Sequence, residues 1–273
     1  VSWISRQLVN VRMKKIKELI STQTLKLVFV LLLSIVYPIS SISIPSVQAA
    51  YETGSAFFGV AGQYLSAPND GDFAVGTGDF TVEWWQVMTS RPDYLQDNTY
   101  GRAWQIDGPV PFGLSFDRNG MNVDNPLITF YLNSEYNFGT LTGFDSNYKN
   151  QWVHVAVTRT SSVVRIFLDG TKVGSDTNIP YNFQDTTTPL TIGARPSQSS
   201  STFFGNISNF HFVKGTSLYT TNFSRPTAPT NAVANTKLLL KFQNAANFLT
   251  DSSARAKVVT YNRYTTWYSA APP

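Results

Sequence analysis

Glu83 stands in the run DFTVEWWQVM, and the chain has two histidines, His154 and His211. Carboxylates and imidazoles are the groups that acid–base chemistry draws on first. Hydrolysis of a glycosidic bond needs two carboxylates on one face, one as nucleophile or base and one as acid. Glu83 is followed by Trp84, Trp85, Gln86 and Val87, with no partner acid. The chain also has no G-x-S-x-G, H-E-x-x-H or G-x-x-x-x-G-K pattern, so the usual signatures of serine hydrolases, zinc proteases and nucleotide binders are missing. His154 in QWVHVAVT and His211 in NFHFVKG lie in alternating apolar runs and read as buried strand histidines rather than bases.

Two further groupings could bind without reacting. Asp93, Asp97, Asp107, Asp176 and Asp185 are oxygen donors of the kind calcium takes; isolated Asp residues also build turns. Asp107 is the metal candidate among them. Three segments mix aromatic rings with amides: PDYLQDNTYGRAW, NSEYNFG and IPYNFQD. Rings stack on the apolar faces of sugars while amides meet the hydroxyls. The candidate ligand-binding residues are therefore Tyr94, Tyr100, Trp104, Asn133, Tyr136 and Tyr181. The competing reading makes Trp104 and Phe138 caps on the core.

Composition narrows the partners. The 273 residues are 42% apolar, 14% aromatic and 14% charged, with a net charge of +4. Residues 1–49 carry six basic residues and one acid, a net +5; the remainder carries 15 basic and 16 acidic residues, a net −1. The basic balance thus belongs to the N-terminus, and no basic face for nucleic acid is expected. The absence of Cys excludes disulfides and thiolate zinc sites. No cofactor is expected.

The first 49 residues read as a leader. Met13 is the expected start, the twelve residues before it being an upstream over-call. A basic segment, the apolar run Leu27–Tyr37 and Val47-Gln48-Ala49 fit a signal peptide cut after Ala49. The alternative is a retained membrane anchor, although Pro38 and four serines interrupt Leu27–Ile44 and a spanning helix needs ~20 apolar residues.

The elements that must position these side chains are strands. From Tyr51 onward short alternating runs are broken by Gly, Pro, Asn and Asp, which predicts an all-β chain. About a dozen runs with hairpin-length gaps imply antiparallel pairing in two packed sheets, a β-sandwich. In QWVHVAVTRTSSVVRIFLDGTKVGS, Trp152, His154, Ala156 and Thr158 share one face and Val153, Val155, Val157 and Arg159 the other. Apolar residues on both faces predict a strand covered on both sides. Asp169-Gly170 predicts a type I′ hairpin turn.

Several segments together resemble a known family. FFGVAGQYLSAP, GTGDFTVEWW, the W-x-H-V-A-V-T-R strand with its D-G turn, PLTIGARP, FFGNISNFHFVKGTSLYTTNFSRPTAP and TKLLLKFQ occur in the order of laminin-G-like, concanavalin A-like jelly-roll domains. The closing segment resembles modules of secreted bacterial proteins and of structural proteins in large viruses and phages. The resemblance implies a jelly roll over residues 51–251 with one concave sheet. Residues 252–273 then form a tail whose DSSARAKVV resembles the linker after such modules; it is expected to be either a truncated end or a segment that packs back on the sandwich. Glycosidases of this family use E-x-D-x-x-E, which is absent, so no enzyme is expected. The laminin-type calcium positions correspond to PVPFG and SQSSSTFF, which hold no acid. The function expected is non-catalytic carbohydrate binding by a secreted or surface-attached module, its partner a glycan or other extracellular polymer, with membrane contact only through an uncleaved leader. The alternative is a structural or adhesion protein of a virion or cell surface. Asn206-Ile-Ser and Asn222-Phe-Ser are glycosylation sequons.

Overall fold

The computed structural model describes residues 10, 12–15, 54–89, 100–109, 111–119, 122–132, 135–185, 187–197 and 201–273. The chain divides into two units, Val1–Ala50 and Tyr51–Pro273. The described residues of the first are helical; the expected signal or anchor segment lies outside them. Among the described residues, no helix is long and apolar enough to cross a membrane.

The second unit is a two-sheet antiparallel sandwich. One sheet runs β10 (Thr171–Asn178), β9 (Val163–Leu168), β8 (Val153–Thr160), β3 (Phe80–Met88), β12 (Gly205–Lys214), β1 (Ser55–Phe58) and β15 (Thr266–Tyr268), with β13 (Thr236–Leu240) also paired to β12. The other runs β14 (Thr260–Asn262), β2 (Tyr64–Ala67), β11 (Leu190–Ile192), β4 (Tyr100–Ile106), β5 (Phe112–Asn119), β6 (Asn122–Tyr131) and β7 (Glu135–Thr140). Alternate residues face inward, as the pleat requires. Phe80, Val82 and Trp84 of β3 and Phe210 and Phe212 of β12 meet Trp104, Phe112, Leu114 and Phe130 of the second sheet. Ring contacts such as Phe80–Phe112 at 6.0 Å and Trp104–Phe212 at 6.4 Å tie the layers. Each such buried side chain contributes roughly 1.5–3 kcal/mol.

The hairpins form where the sequence places them. Asp169 and Gly170 both have positive φ, 48° and 79°, and Thr171 pairs with Leu168 across them. The β8–β9 turn has the same two-residue form with serines, Ser161 at φ 47° and Ser162 at φ 70°. β8 is buried on both faces, as its double apolar pattern predicts. Val153, Val155 and Val157 join the core. His154, Ala156 and Thr158 face away from it and are still fully buried.

What covers them is the segment from Thr216 to Asn235, which crosses the outer face of this sheet. It is pinned at Thr81, whose hydroxyl donates to the Thr216 carbonyl (3.0 Å) and accepts from Leu218 N–H (2.8 Å). It is pinned again where Thr158 Oγ1 donates to the Tyr219 carbonyl (2.9 Å) and Phe223 N–H donates to Gly170 O (2.9 Å). At Gly170 the approach is so close that a Cβ would lie 2.0 Å from the Phe223 carbonyl oxygen. Tyr219 and Phe223 stack at 3.7 Å over Phe167, and Arg225 lies 4.6 Å above the Trp85 ring.

The chain after Asp251 packs back on the sandwich. Asp251 Oδ1 accepts from Leu239 and Ser253 N–H, and Oδ2 from Ser253 Oγ and Lys257 N–H, all at 2.8–2.9 Å. Lys257, nearly fully buried, places its ammonium 2.7 Å from Asp72 Oδ2. β14 then pairs with β2 and β15 with β1. DSSARAKVV is thus an ordered turn, fixed by a carboxylate that saturates its own neighbours.

Candidate functional site

The structure scatters the sequence-predicted residues, for reasons that can be traced. Tyr94 and Asn133 lie outside the described residues, as do Asp93 and Asp97. Tyr100 opens β4, paired with Asp117. Trp104 requires a correction: it is fully buried and belongs to the core. A register shift between Arg102 and Trp104 inserts Ala103 as an extra residue, which turns the indole to the inner face. Most of NSEYNFG is strand, since Glu135–Thr140 forms β7 at the sheet edge.

Tyr136 and Tyr181, 45 positions apart in the sequence, do come together. The neighbouring Tyr136 phenol raises the Tyr181 pKa above its ordinary value. Tyr136 packs partly against the core, while Tyr181 is 37% exposed. The support beneath Tyr181 is Arg159, the inward-facing residue near the end of β8. Its guanidinium donates from Nη1 to the Tyr181 carbonyl (3.0 Å), from Nε to Gly78 O (2.9 Å) and from Nη2 to Gly76 O (2.7 Å), and stacks over Phe80 and Phe183. Burial pulls its pKa down to about 10, opposed by Asp79, so it remains a cation near neutral pH. The sequence pattern put Arg159 on the inner face but gave no sign of what it holds.

Asp107 is corrected as a calcium candidate. Arg195 grips both of its oxygens, Nε to Oδ2 at 2.9 Å and Nη2 to Oδ1 at 2.8 Å, and Ser197 and Gln105 donate to it as well. A carboxylate neutralised by a two-point guanidinium has little left to offer a cation. Asp176 is spent on Arg165 and Lys172, and Asp185 accepts the N–H groups of Thr187 and Thr188, a turn role. Among the described residues, no three His, Asp or Glu side chains are grouped so as to hold a metal ion.

Sequence reasoning missed the partners of Glu83. β3 and β12 pair Glu83 directly with His211, and β8 brings His154 beside it. The carboxylate, 3% exposed, accepts from His211 Nδ1 (2.8 Å) and Tyr219 OH (2.7 Å), and His154 Nε2 lies 3.3 Å from Oε2. His211 Nε2 meets Thr236 Oγ1 at 2.8 Å, and that hydroxyl accepts Val233 N–H at 2.9 Å. Burial alone would raise the Glu83 pKa; the hydrogen bonds and charge of the two imidazoles outweigh it and hold the group well below the carboxylate range. Burial and the neighbouring carboxylate push the Tyr219 phenol up. The group resembles acid–base machinery in composition, but the polar arms of Glu83, His211 and Tyr219 end on protein, the His154 ring nitrogens are buried without a hydrogen bond, and Tyr219 and Phe223 roof the group over. It ties the covering segment to the sheet. The signal in the sequence was present in part, since Glu83, His154 and His211 all take outward positions on strands.

The fold and these contacts frame the comparisons with known proteins. A family model described as the concanavalin A-like lectin/glucanases superfamily matches residues 58–217. The chain belongs to this superfamily. Among solved structures, a carbohydrate-binding candidate from Bacteroides ovatus is similar at 16% identity with a TM-score of 0.60, over 81% of this chain and 61% of that one. The chain therefore spans less than two thirds of that protein's length. Domains LG4-5 of the mouse laminin alpha1 chain are similar at 13% identity with a TM-score of 0.47, over 81% of this chain and 47% of that one. At these identities the likeness is one of fold. No curated protein matches the sequence.

Proposed function

We propose that this superfamily member is a non-catalytic carbohydrate-binding module acting outside the cell, secreted or held at the surface. The observation that carries the reading is the Tyr136–Tyr181 pair, two neighbouring phenols, Tyr136 on the edge strand β7 and Tyr181 37% exposed with its backbone carbonyl held by a buried arginine. Two neighbouring phenols of this kind offer ring faces on which a sugar can stack and hydroxyls to meet its rim. The non-catalytic part is supported by Glu83, whose carboxylate is saturated and roofed over. No ion is required for this mode of binding.

A glycan-array screen of the protein, run with and without calcium, tests the proposal. Expected are reproducible hits that do not need calcium, weakened about tenfold, or ~1.4 kcal/mol, by Tyr181→Ala. Because that side chain is exposed, the variant should keep the wild-type melting temperature. A blank array from folded protein would overturn the reading in favour of a structural or adhesion role.

A further inference from the structure

The end of the chain builds an aromatic surface of its own. β14 belongs to one sheet and β15 to the other, so the turn between Asn262 and Thr266 crosses the side of the sandwich. Beside that turn lies an open groove of about 360 Å³, lined by Phe248, Tyr261, Tyr264 and Trp267 together with Thr265 and Thr266. Phe248 and Tyr261 sit with ring centroids 6.4 Å apart. Trp267 is fixed by its indole N–H, which donates to Phe242 O at 2.8 Å, and it lies flat against Gly54, where a Cβ would come within 2.3 Å of the indole nitrogen.

The backbone of the turn is held against its own preference. Arg263 and Tyr264 have φ values of 53° and 52°, a left-handed conformation that bulky side chains avoid. Burial does not offset the strain, since Tyr264 is 83% exposed. The geometry is imposed by Gln63, whose amide donates to the Arg263 carbonyl (2.9 Å) and the Tyr264 carbonyl (3.3 Å) while its oxygen accepts Gly59 and Val60 N–H. Thr265 Oγ1 closes the turn on Asn262 O at 3.1 Å. A strained backbone over-determined by its surroundings, presenting a large ring to solvent beside a groove, is the pattern expected of a binding element.

We infer that this groove is a second carbohydrate subsite, taking the face of a neutral pyranose within an oligosaccharide. The inference rests on the carbohydrate-binding reading above but uses different residues. No charged side chain lines the groove, so a charged ligand would lose water without gaining a partner. The rings supply stacking faces, and the phenol and threonine hydroxyls supply polar contacts, which matches a ligand that is apolar on its face and hydroxylated at its rim.

The experiment titrates the full chain with neutral glucose hexasaccharides, β-1,4-, β-1,3- and α-1,4-linked, and with an anionic galacturonate hexasaccharide, following tryptophan fluorescence and calorimetry. The expected result is binding of at least one neutral probe and not of the anionic one. Affinity should fall about tenfold in Tyr264→Ala and recover in Tyr264→Phe, with the melting temperature of Tyr264→Ala no lower than that of the wild type, and the fluorescence change should be lost in Trp267→Phe. Neutral binding that survives Tyr264→Ala and Tyr261→Ala but falls in Tyr181→Ala would overturn the subsite and leave the function standing. Absence of binding to every probe, together with a blank array, would remove both. A groove that takes an apolar fluorescent dye that no sugar displaces would overturn the ligand class alone.

Discussion

The outer face of the first sheet and the groove at the chain's end use the same residue types to opposite effect. Over Glu83, Tyr219 donates its hydroxyl to the carboxylate, and its ring stacks on Phe223 at 3.7 Å. At the turn after β14, Tyr264 carries a ring 83% exposed on a backbone in the left-handed region. In the first place polar chemistry is sealed and contributes to stability. In the second, stability is given up to keep a ring in the open. Residue identity does not distinguish the two, since each has tyrosine, phenylalanine and tryptophan close by. What separates them is whether the polar groups are closed under other side chains or left at the solvent boundary.

The sharpest way to break this contrast is to remove the charge at Glu83. Glu83→Gln keeps the shape but removes the charge beside two imidazoles and replaces one of the two acceptor oxygens, used by His211 and Tyr219, with an NH2 donor. Breaking a buried, hydrogen-bonded charge group costs about 3–5 kcal/mol, or a melting-temperature drop on the order of 10 °C for a unit of this size. Glycan affinity measured below the transition should be unchanged. A variant as stable as the wild type would mean that the cluster does not hold the covering segment. Lost affinity with intact stability would mean that the face is not sealed and that the carboxylate belongs to a site.

Acid tests the same cluster without mutation. The folded-state pKa of Glu83 lies below its ordinary value of 4.5, and that of Asp72, clamped by Lys257 and Arg255 beneath the tail, lies below 3.8. A carboxylate depressed on folding contributes stability above its unfolded pKa and loses it as pH falls toward the folded value. The melting temperature should therefore decline as pH drops below about 4.5, and Glu83→Gln should flatten the upper part of that decline. A wild-type profile that is level from pH 5 to pH 3 would contradict both assignments.

The sequence carried the fold further than the site because the two depend on different ranges of interaction. Alternation and turn chemistry are local, so β8, β9, the Asp169-Gly170 turn and the double-sided burial of His154 were all readable. β7 was not, because EYNFGT offers Gly139 and polar residues where a strand usually offers β-branched ones; β14 and β15 have three residues each and take their order from neighbours. Trp104 could be read from the sequence as a ligand residue or as a cap on the core; the core position is decided by a single bulge that reverses every later side chain in β4, and nothing at Ala103 announces it. Glu83, His154, His211 and Tyr219 were each visible, but Tyr219 is 136 positions from Glu83, and only the strand register places the four together.

The smallest effects give the cleanest comparison, since they set two left-handed turns side by side. Ser162, in the β8–β9 hairpin at φ 70°, and Tyr264, at φ 52°, both hold a conformation that glycine adopts freely. Glycine also adds entropy to the unfolded chain, so the net gain at either site is limited to a few tenths of a kcal/mol, up to ~1 kcal/mol. Ser162→Gly should raise the melting temperature by one or a few degrees, on the order of the shift such an energy gives, and leave sugar binding as it was. Tyr264→Gly should gain a similar amount and lose the neutral-sugar binding of the groove. If the two variants behave alike in binding, the strain at Tyr264 is an accident of the turn. If they match in stability and part in binding, the strain is the cost of holding a ring where a ligand can reach it.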